Sequence, residues 1–123
     1  MAGLTRKNID HPDEVRQMND GKGRLELVDL GSGLVARATI EPGGKWSEQV
    51  KPVAGTESCQ AAHVGYVISG RMKIVMDDGE EVEVGPGHFI SAAPGHDAWI
   101  IGNEPCVVID GQGMADYAGE RLG

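Results

Sequence analysis

Short runs of apolar residues, many alternating with polar ones, cover most of this chain. Between Arg24 and Leu30 the alternation is regular, which is typical of a strand with one buried face. Similar runs rich in β-branched residues follow along the chain. The pattern predicts strands over Arg24 to Leu30, Leu34 to Ile40, Lys45 to Val50, Gln60 to Ser69, Met72 to Met76, Glu80 to Val84, His88 to Ala92, Ala98 to Ile101 and Cys106 to Asp110.

Glycine-containing turns separate these runs. Asp77-Asp78-Gly79 predicts a hairpin, because Asp-Gly favours the tight turns that join antiparallel strands. We also assign Gly70, Gly87 and Gly95 to turns, and expect Gly79, Gly87 and Gly95 to adopt unusual backbone angles. Turns at intervals of about 8–12 residues indicate an all-β sandwich or barrel.

The ends of the chain are more polar than its middle. We predict an N-terminal arm over residues 1–23, one barrel domain over residues 24–110 and a tail over residues 111–123. In the arm, the segment from Asp10 to Glu14 fits one capped helical turn or an extended stretch lying on the barrel. The tail fits a short helix around residues 115–121 or disorder.

Charge narrows the possible functions. The 123 residues include 11 basic and 19 acidic side chains, a net charge of −8. This balance argues against nucleic acid as a partner, because its phosphates require a basic surface, and against anionic membranes. No run of about 18 apolar residues predicts a membrane span. The segment from Met1 to Lys7 lacks the apolar core of a signal peptide, so we expect a cytoplasmic location.

The two cysteines, Cys59 and Cys106, are distant in sequence and predict no disulfide scaffold. Cys106 lies in an apolar run and is interpreted as a small buried hydrophobic residue. Cys59 stands among polar residues, and this makes it a candidate for chemistry.

Several stretches resemble the small single-domain cupins. They are Gly70 at a strand end, the hairpin from Val75 to Glu80, Val84-Gly85-Pro86-Gly87, and Ala93-Pro94-Gly95-His96. The resemblance covers roughly Gly43 to Asp110. It implies a cupin-type jelly-roll β-barrel of two antiparallel sheets with little helix. It also implies a homodimer, and a pocket between two motifs.

The metal-binding positions of those two motifs are substituted here. When the first motif is aligned from Gly70, its glutamate falls on His63 and its two histidines fall on Glu57 and Cys59. In the second motif, the histidine position holds Ala98 and the asparagine position holds Gly102. The resemblance is therefore strong for the fold and weak for the family's metal chemistry.

A substituted ligand set is nevertheless possible. Glu57, Cys59 and His63 share parity on an extended strand, so their side chains point to one face. His96 shares the parity of Ala98. We therefore predict a divalent metal held by Cys59, His63 and His96, with Glu57 as a fourth ligand or the general base. Four such ligands favour zinc, and imidazole with carboxylate also suits iron, nickel or manganese. Gln49 is the candidate substrate contact.

Each of these residues also has a structural interpretation. His63 can be a neutral histidine hydrogen-bonded inside a metal-free barrel, and His96 can merely fix a loop. His11 and His88 are interpreted as surface residues. Tyr66 and Trp99 have the opposite parity, so we expect them to face away from the pocket.

Three functions remain open from the sequence. The first is a metal-dependent cupin enzyme of oxygenase, isomerase or lyase type, acting on a small organic acid or sugar-like molecule. The second is a non-catalytic binding or sensor cupin. The third is a metal-free barrel that has lost the usual ligands.

Overall fold

The computed structural model describes residues 3–17, 22–43 and 63–111. These residues form strands and turns, and none of them is helical. The strands are β1 Glu14–Gln17, β2 Gly23–Asp29, β3 Leu34–Ile40, β4 His63–Ser69, β5 Arg71–Met76, β6 Glu81–Val84, β7 Phe89–Ala92, β8 His96–Ile101 and β9 Cys106–Asp110.

The strands form two antiparallel sheets. One sheet has the order β1-β2-β3-β9-β4-β7, and the other has the order β6-β5-β8. The all-β prediction is confirmed. Because β9 pairs with both β3 and β4, the last of the described strands lies in the middle of the larger sheet.

Most predicted strands are present with shifts of one or two residues at their ends, and the strand predicted over Gln60 to Ser69 is described from His63 onward. The strand expected from Ala98 begins at His96, and this extension places His96 on the sheet. Glu14 begins β1, which pairs with β2, so the helical-turn alternative for Asp10 to Glu14 is wrong. The strand predicted over Lys45 to Val50 lies outside the described residues, as does the tail after Gly111.

The core lies between the inner faces of the two sheets. Its buried cluster comprises Val67, Met72, Ile74, Val84, Ile100, Cys106 and Val108. Cys106 has no exposed surface, which confirms its interpretation as a small hydrophobic residue. Strand alternation explains this cluster, since every second residue of β5, β8 and β9 faces inward.

Gly70 is required by both its backbone conformation and its surroundings. Its φ is +77°, and a Cβ atom built there would lie 2.2 Å from the carbonyl oxygen of Pro105. No other residue type combines this backbone angle with so close an approach. Gly79, Gly87 and Gly95 also have positive φ angles.

No helix among the described residues is long and apolar enough to cross a membrane.

Candidate functional site

A pocket lies between the inner faces of the two sheets. The larger sheet contributes Ala38, Ile40, Ile90, Ala92 and Val108 to its wall. The smaller sheet contributes Met72, Ile74 and Ala98. Three polar residues, His63, His96 and Asp110, complete the described lining. The pocket is partly open to solvent.

Asp110 occupies the inner face at the end of β9. In the strand register it lies between Ala36 of β3 and Gly65 of β4. A Cβ atom at Gly65 would lie only 2.9 Å from the backbone oxygen of Ile109, so this position opposite Asp110 is tightly packed. Asp110 is only 3% exposed. A buried carboxylate is costly unless charged or hydrogen-bonding groups satisfy it, so its partners matter.

His63 is a partner of Asp110. Its Nδ1 lies 2.9 Å from Oδ2 of the carboxylate. The two residues are diagonal neighbours across the sheet, because Gly65, two residues after His63, is the one directly opposite Asp110. An ionised carboxylate only accepts hydrogen bonds, so Nδ1 of His63 carries the proton. In the neutral ring, the lone pair then belongs to Nε2.

His96 begins β8 on the opposite sheet and is 4% exposed. Its Nδ1 lies 2.8 Å from the carbonyl oxygen of Ala93. A carbonyl oxygen can only accept, so Nδ1 donates here too and Nε2 again holds the lone pair. The tight turn before the strand, with Gly95 at φ +94°, brings Ala93 back to this position.

The two imidazoles meet inside the barrel. Their ring centroids are 5.3 Å apart, with an angle of 68° between the ring planes. The structure thus brings together His63 and His96 from different sheets. It adds Asp110, which the sequence analysis treated only as a strand end. Alternation along β9 could have indicated that Asp110 faces the pocket, since Cys106 and Val108 have the same inward parity.

The two histidines fit the chemistry of metal ligands. A histidine that binds a metal usually donates its second ring proton to a carboxylate or a backbone carbonyl, and these residues do one each. Within residues 3–17, 22–43 and 63–111, however, no group of three or more His, Cys, Asp or Glu side chains is placed to hold an ion. Further ligands would have to come from elsewhere in the chain or from solvent.

Three of the predicted site residues lie outside the described ranges: Gln49, Glu57 and Cys59. The other cysteine is unsuited to metal binding, because burial and the nearby Glu104 raise the pKa of the Cys106 thiol to about 11. At neutral pH this thiol keeps its proton, and the thiolate is the form that binds metals.

Among the described residues, the other aromatic and histidine side chains are not part of the pocket lining. Tyr66 packs against Phe89, with ring centroids 4.7 Å apart, and Nζ of Lys73 lies 5.9 Å from the ring centroid of Trp99. His11 and His88 are exposed, and Nδ1 of His88 accepts a hydrogen bond from the backbone N–H of Gly85.

No protein-family model and no protein of curated function matches this sequence. Solved structures do match. KdgF from a Halomonas species is 18% identical, with a TM-score of 0.60 over 94% of this chain and 97% of that one. A DUF1255 protein of unknown function from Acidithiobacillus ferrooxidans is 17% identical, with a TM-score of 0.58 over 80% of this chain and 85% of that one.

A formate complex of oxalate decarboxylase from Lactobacillus farciminis also matches. It is 18% identical, with a TM-score of 0.54, and the alignment covers 84% of this chain and 32% of that one. At these identities the similarities establish the fold alone. This chain has a cupin-like β-barrel.

Proposed function

We propose that this chain is a small single-domain cupin that binds one divalent metal and a small molecule in its barrel pocket. The observation that carries the proposal is the state of the two imidazoles. His63 and His96 lie next to each other, and each donates a hydrogen bond from Nδ1 to an acceptor of the protein. In both rings the lone pair is therefore on Nε2, which is the nitrogen that would coordinate the metal.

The remaining ligands in this proposal are Cys59 and Glu57. A set of four protein ligands would make a closed zinc site, whereas three would leave one position for water or substrate. The bound metal would supply Lewis acidity to that position. If Glu57 is not a ligand, it serves as the general base, and Gln49 contacts the substrate.

The chain's own residues have separable roles in this site. Asp110 holds His63 in one orientation and tautomer, and the carbonyl oxygen of Ala93 does the same for His96. The apolar side chains of the wall lower the polarity around these groups, which strengthens their hydrogen bonds. For the reaction we propose oxygenase, isomerase or lyase chemistry, since a cupin-like fold alone does not specify one.

A non-catalytic binding protein is the second candidate. It is supported by the buried hydrogen bond between His63 and Asp110, which already engages this carboxylate with an imidazole. In such a protein the buried pair of His63 and Asp110 would be a hydrogen-bonding site for a ligand, with or without a structural metal.

Elemental analysis of the purified full-length protein tests the proposal. We expect about one equivalent of a transition metal per chain, and Cys59→Ala should lower that content. Metal-free protein that also fails to take up Zn²⁺, Fe²⁺, Ni²⁺ or Mn²⁺ would reject the metal site and leave the second candidate. Full metal content in Cys59→Ala would remove only Cys59 from the ligand set.

We also propose that the protein is a cytoplasmic homodimer. The outer face of β4 and β7 carries Val64, Tyr66, Ile68 and Phe89, and Phe89 is 78% exposed. We call these four residues the β4–β7 outer patch. In a chain with a net charge of −8, an uncharged patch is the surface at which two copies can meet without repulsion.

A further inference from the structure

The pairing of β5 with β8 continues beyond the first residue of β8. In the strand register Met76, the last residue of β5, lies opposite His96. The next residue, Asp77, donates its backbone N–H to the carbonyl oxygen of Gly95, and 2.8 Å separates the two atoms. Asp77 is exposed, whereas Gly95 and His96 are buried. A surface residue is thus bonded to the turn that leads into β8.

This same turn holds the acceptor of the His96 ring. The carbonyl oxygen of Ala93 lies 2.8 Å from Nδ1 of His96, and Gly95, which stands between them in the chain, has a φ of +94°. A hydrogen bond of this kind is lost once its two atoms are about 3.6 Å apart. A shift of the turn by less than about 1 Å is therefore enough to release the ring.

We propose that Asp77 is a positioning residue for His96. Its backbone N–H fixes the carbonyl group of Gly95, and this bond keeps the Ala93 carbonyl oxygen against Nδ1 of the ring. A neutral imidazole has its proton on one nitrogen and its lone pair on the other. With the proton held at Nδ1, the lone pair stays on Nε2 and is available to a metal. The proposal rests on the proposed metal site only for its effect on metal affinity.

The place of Asp77 in its hairpin allows this N–H to be removed selectively. The backbone N–H of Gly79 donates to the carbonyl oxygen of Met76 at 2.9 Å, so Asp77 is the second residue of a four-residue turn. Proline is favoured at this position, and the residue before a proline prefers the extended conformation that Met76 has in β5. Asp77→Pro therefore fits the turn but has no N–H to donate to Gly95. Asp77→Ala keeps the N–H and removes only the carboxylate, which makes it the matched control.

Nitrogen NMR of isotope-labelled imidazole rings, in metal-free full-length protein at alkaline pH, reads the tautomer directly. We expect His96 to show the Nδ1–H tautomer in the wild type and in Asp77→Ala, and a mixture of the two neutral tautomers in Asp77→Pro. His63 is the internal control, because its Nδ1 is held by Asp110, and it should keep one tautomer in all three proteins. An unchanged His96 tautomer in Asp77→Pro, or an equal change in Asp77→Ala, would overturn the proposal.

A pair of glycine substitutions tests the same contact from the side of the turn, and its result does not depend on the folding of Asp77→Pro. Gly95 and Gly87 have nearly equal φ angles, +94° and +91°, so alanine has a similar conformational cost at both positions. A Cβ atom at Gly95 would lie 3.0 Å from Oδ2 of Asp77, whereas no described atom lies within 4 Å of one at Gly87. Gly95→Ala should therefore mix the His96 tautomers, and Gly87→Ala should not. Equal His96 signals in these two variants would also overturn the proposal.

Zinc titration of the same proteins separates this proposal from the proposed metal site. If His96 is a ligand, Zn²⁺ affinity should fall about tenfold or more in Asp77→Pro and stay unchanged in Asp77→Ala. A change of the His96 tautomer without loss of Zn²⁺ affinity would support the role of Asp77 and remove His96 from the ligand set. Wild-type protein that binds no Zn²⁺ would reject the metal site, and the ring signals alone would then decide the role of Asp77.

Discussion

Nδ1 of His63 lies 2.9 Å from Oδ2 of Asp110, across the pairing of β4 with β9. Both side chains are largely or fully buried, so this contact fixes the orientation of the His63 ring within the barrel. It also fixes the tautomer, because an ionised carboxylate can only accept a hydrogen bond. Asp110 is therefore a positioning residue for His63.

Asp110→Asn tests this role. The amide keeps the size of the side chain and can still accept a hydrogen bond, but it removes the negative charge that strengthens His63 as a ligand. We expect metal affinity to fall about 10–100-fold, measured by competition with a chelator, while the thermal midpoint changes little. Asp78→Asn is the control. Asp78 is exposed, and its carboxylate accepts a hydrogen bond from the backbone N–H of Glu80 within the same turn. Unchanged metal affinity in Asp110→Asn would contradict the positioning role.

Gly70→Ala should be much more destabilising than Gly79→Ala. Both glycines have positive φ, so both substitutions carry the conformational cost of about 1–2 kcal/mol. Only Gly70 adds a steric conflict, because its new Cβ would lie 2.2 Å from the Pro105 oxygen, whereas nothing lies within 4 Å at Gly79. Urea unfolding should give a total loss on the order of 4 kcal/mol for Gly70→Ala. Equal losses for the two variants would contradict the described strand contact.

Glu26 should make stability depend on pH. Its side chain is 7% exposed and binds Arg37 Nε at 2.9 Å and Arg24 Nη2 at 2.8 Å. The hydrogen bond from Arg37 is the largest cause that holds the pKa of Glu26 below its usual value. A lowered folded-state pKa means that the stabilisation is complete above the unfolded-state pKa of about 4.3 and is lost as pH falls through the folded-state value.

Glu26→Gln should therefore reduce the free energy of unfolding at pH 7 by about 1–3 kcal/mol, and its deficit should shrink as pH falls below about 4. Urea unfolding across that range measures the effect. Glu83→Gln is the matched control, because Glu83 and its partner Arg71 are both about half exposed and such pairs contribute little. A deficit of Glu26→Gln that stays constant down to pH 3 would contradict the ionic explanation.

Phe89→Ser should convert the proposed dimer into a monomer. Phe89 is the most exposed member of the β4–β7 outer patch and contacts Tyr66 within it. Loss of a large apolar side chain from the centre of an interface commonly weakens binding by about 2 kcal/mol or more. Sedimentation velocity measures the mass. Leu4→Ser provides the control, since Leu4 is also apolar and is 91% exposed but lies in the N-terminal segment. A wild-type protein that sediments as a monomer would exclude the dimer itself.

Alternation along the chain was sufficient to predict most strands, because each has one buried face. The position of Asp110 could not be predicted in this way. Its inward parity was visible in the sequence, but its proximity to His63 depends on the pairing of β9 with β4, which joins residues 47 positions apart. Local patterns do not specify such long-range pairings. The start of β8 at His96 likewise depends on its register with Met76 of β5.

Of the four predicted metal ligands, the structure describes two and leaves two outside its described ranges. His63 and His96 come together because strands of the two sheets face each other across the pocket. Glu57 and Cys59 were predicted to join them from strand parity alone. They lie outside the described residues, and their roles stay predictions.

Calorimetric titration of metal-free protein with Zn²⁺ tests the central claim most directly. We compare the wild type with His63→Gln, His96→Gln and the exposed control His88→Gln, because the neutral amide of glutamine is a much poorer zinc ligand than imidazole. The account predicts one ion per chain in the wild type and in His88→Gln, with a large loss of affinity in both pocket variants. Undiminished binding of one ion in His63→Gln and His96→Gln would contradict it.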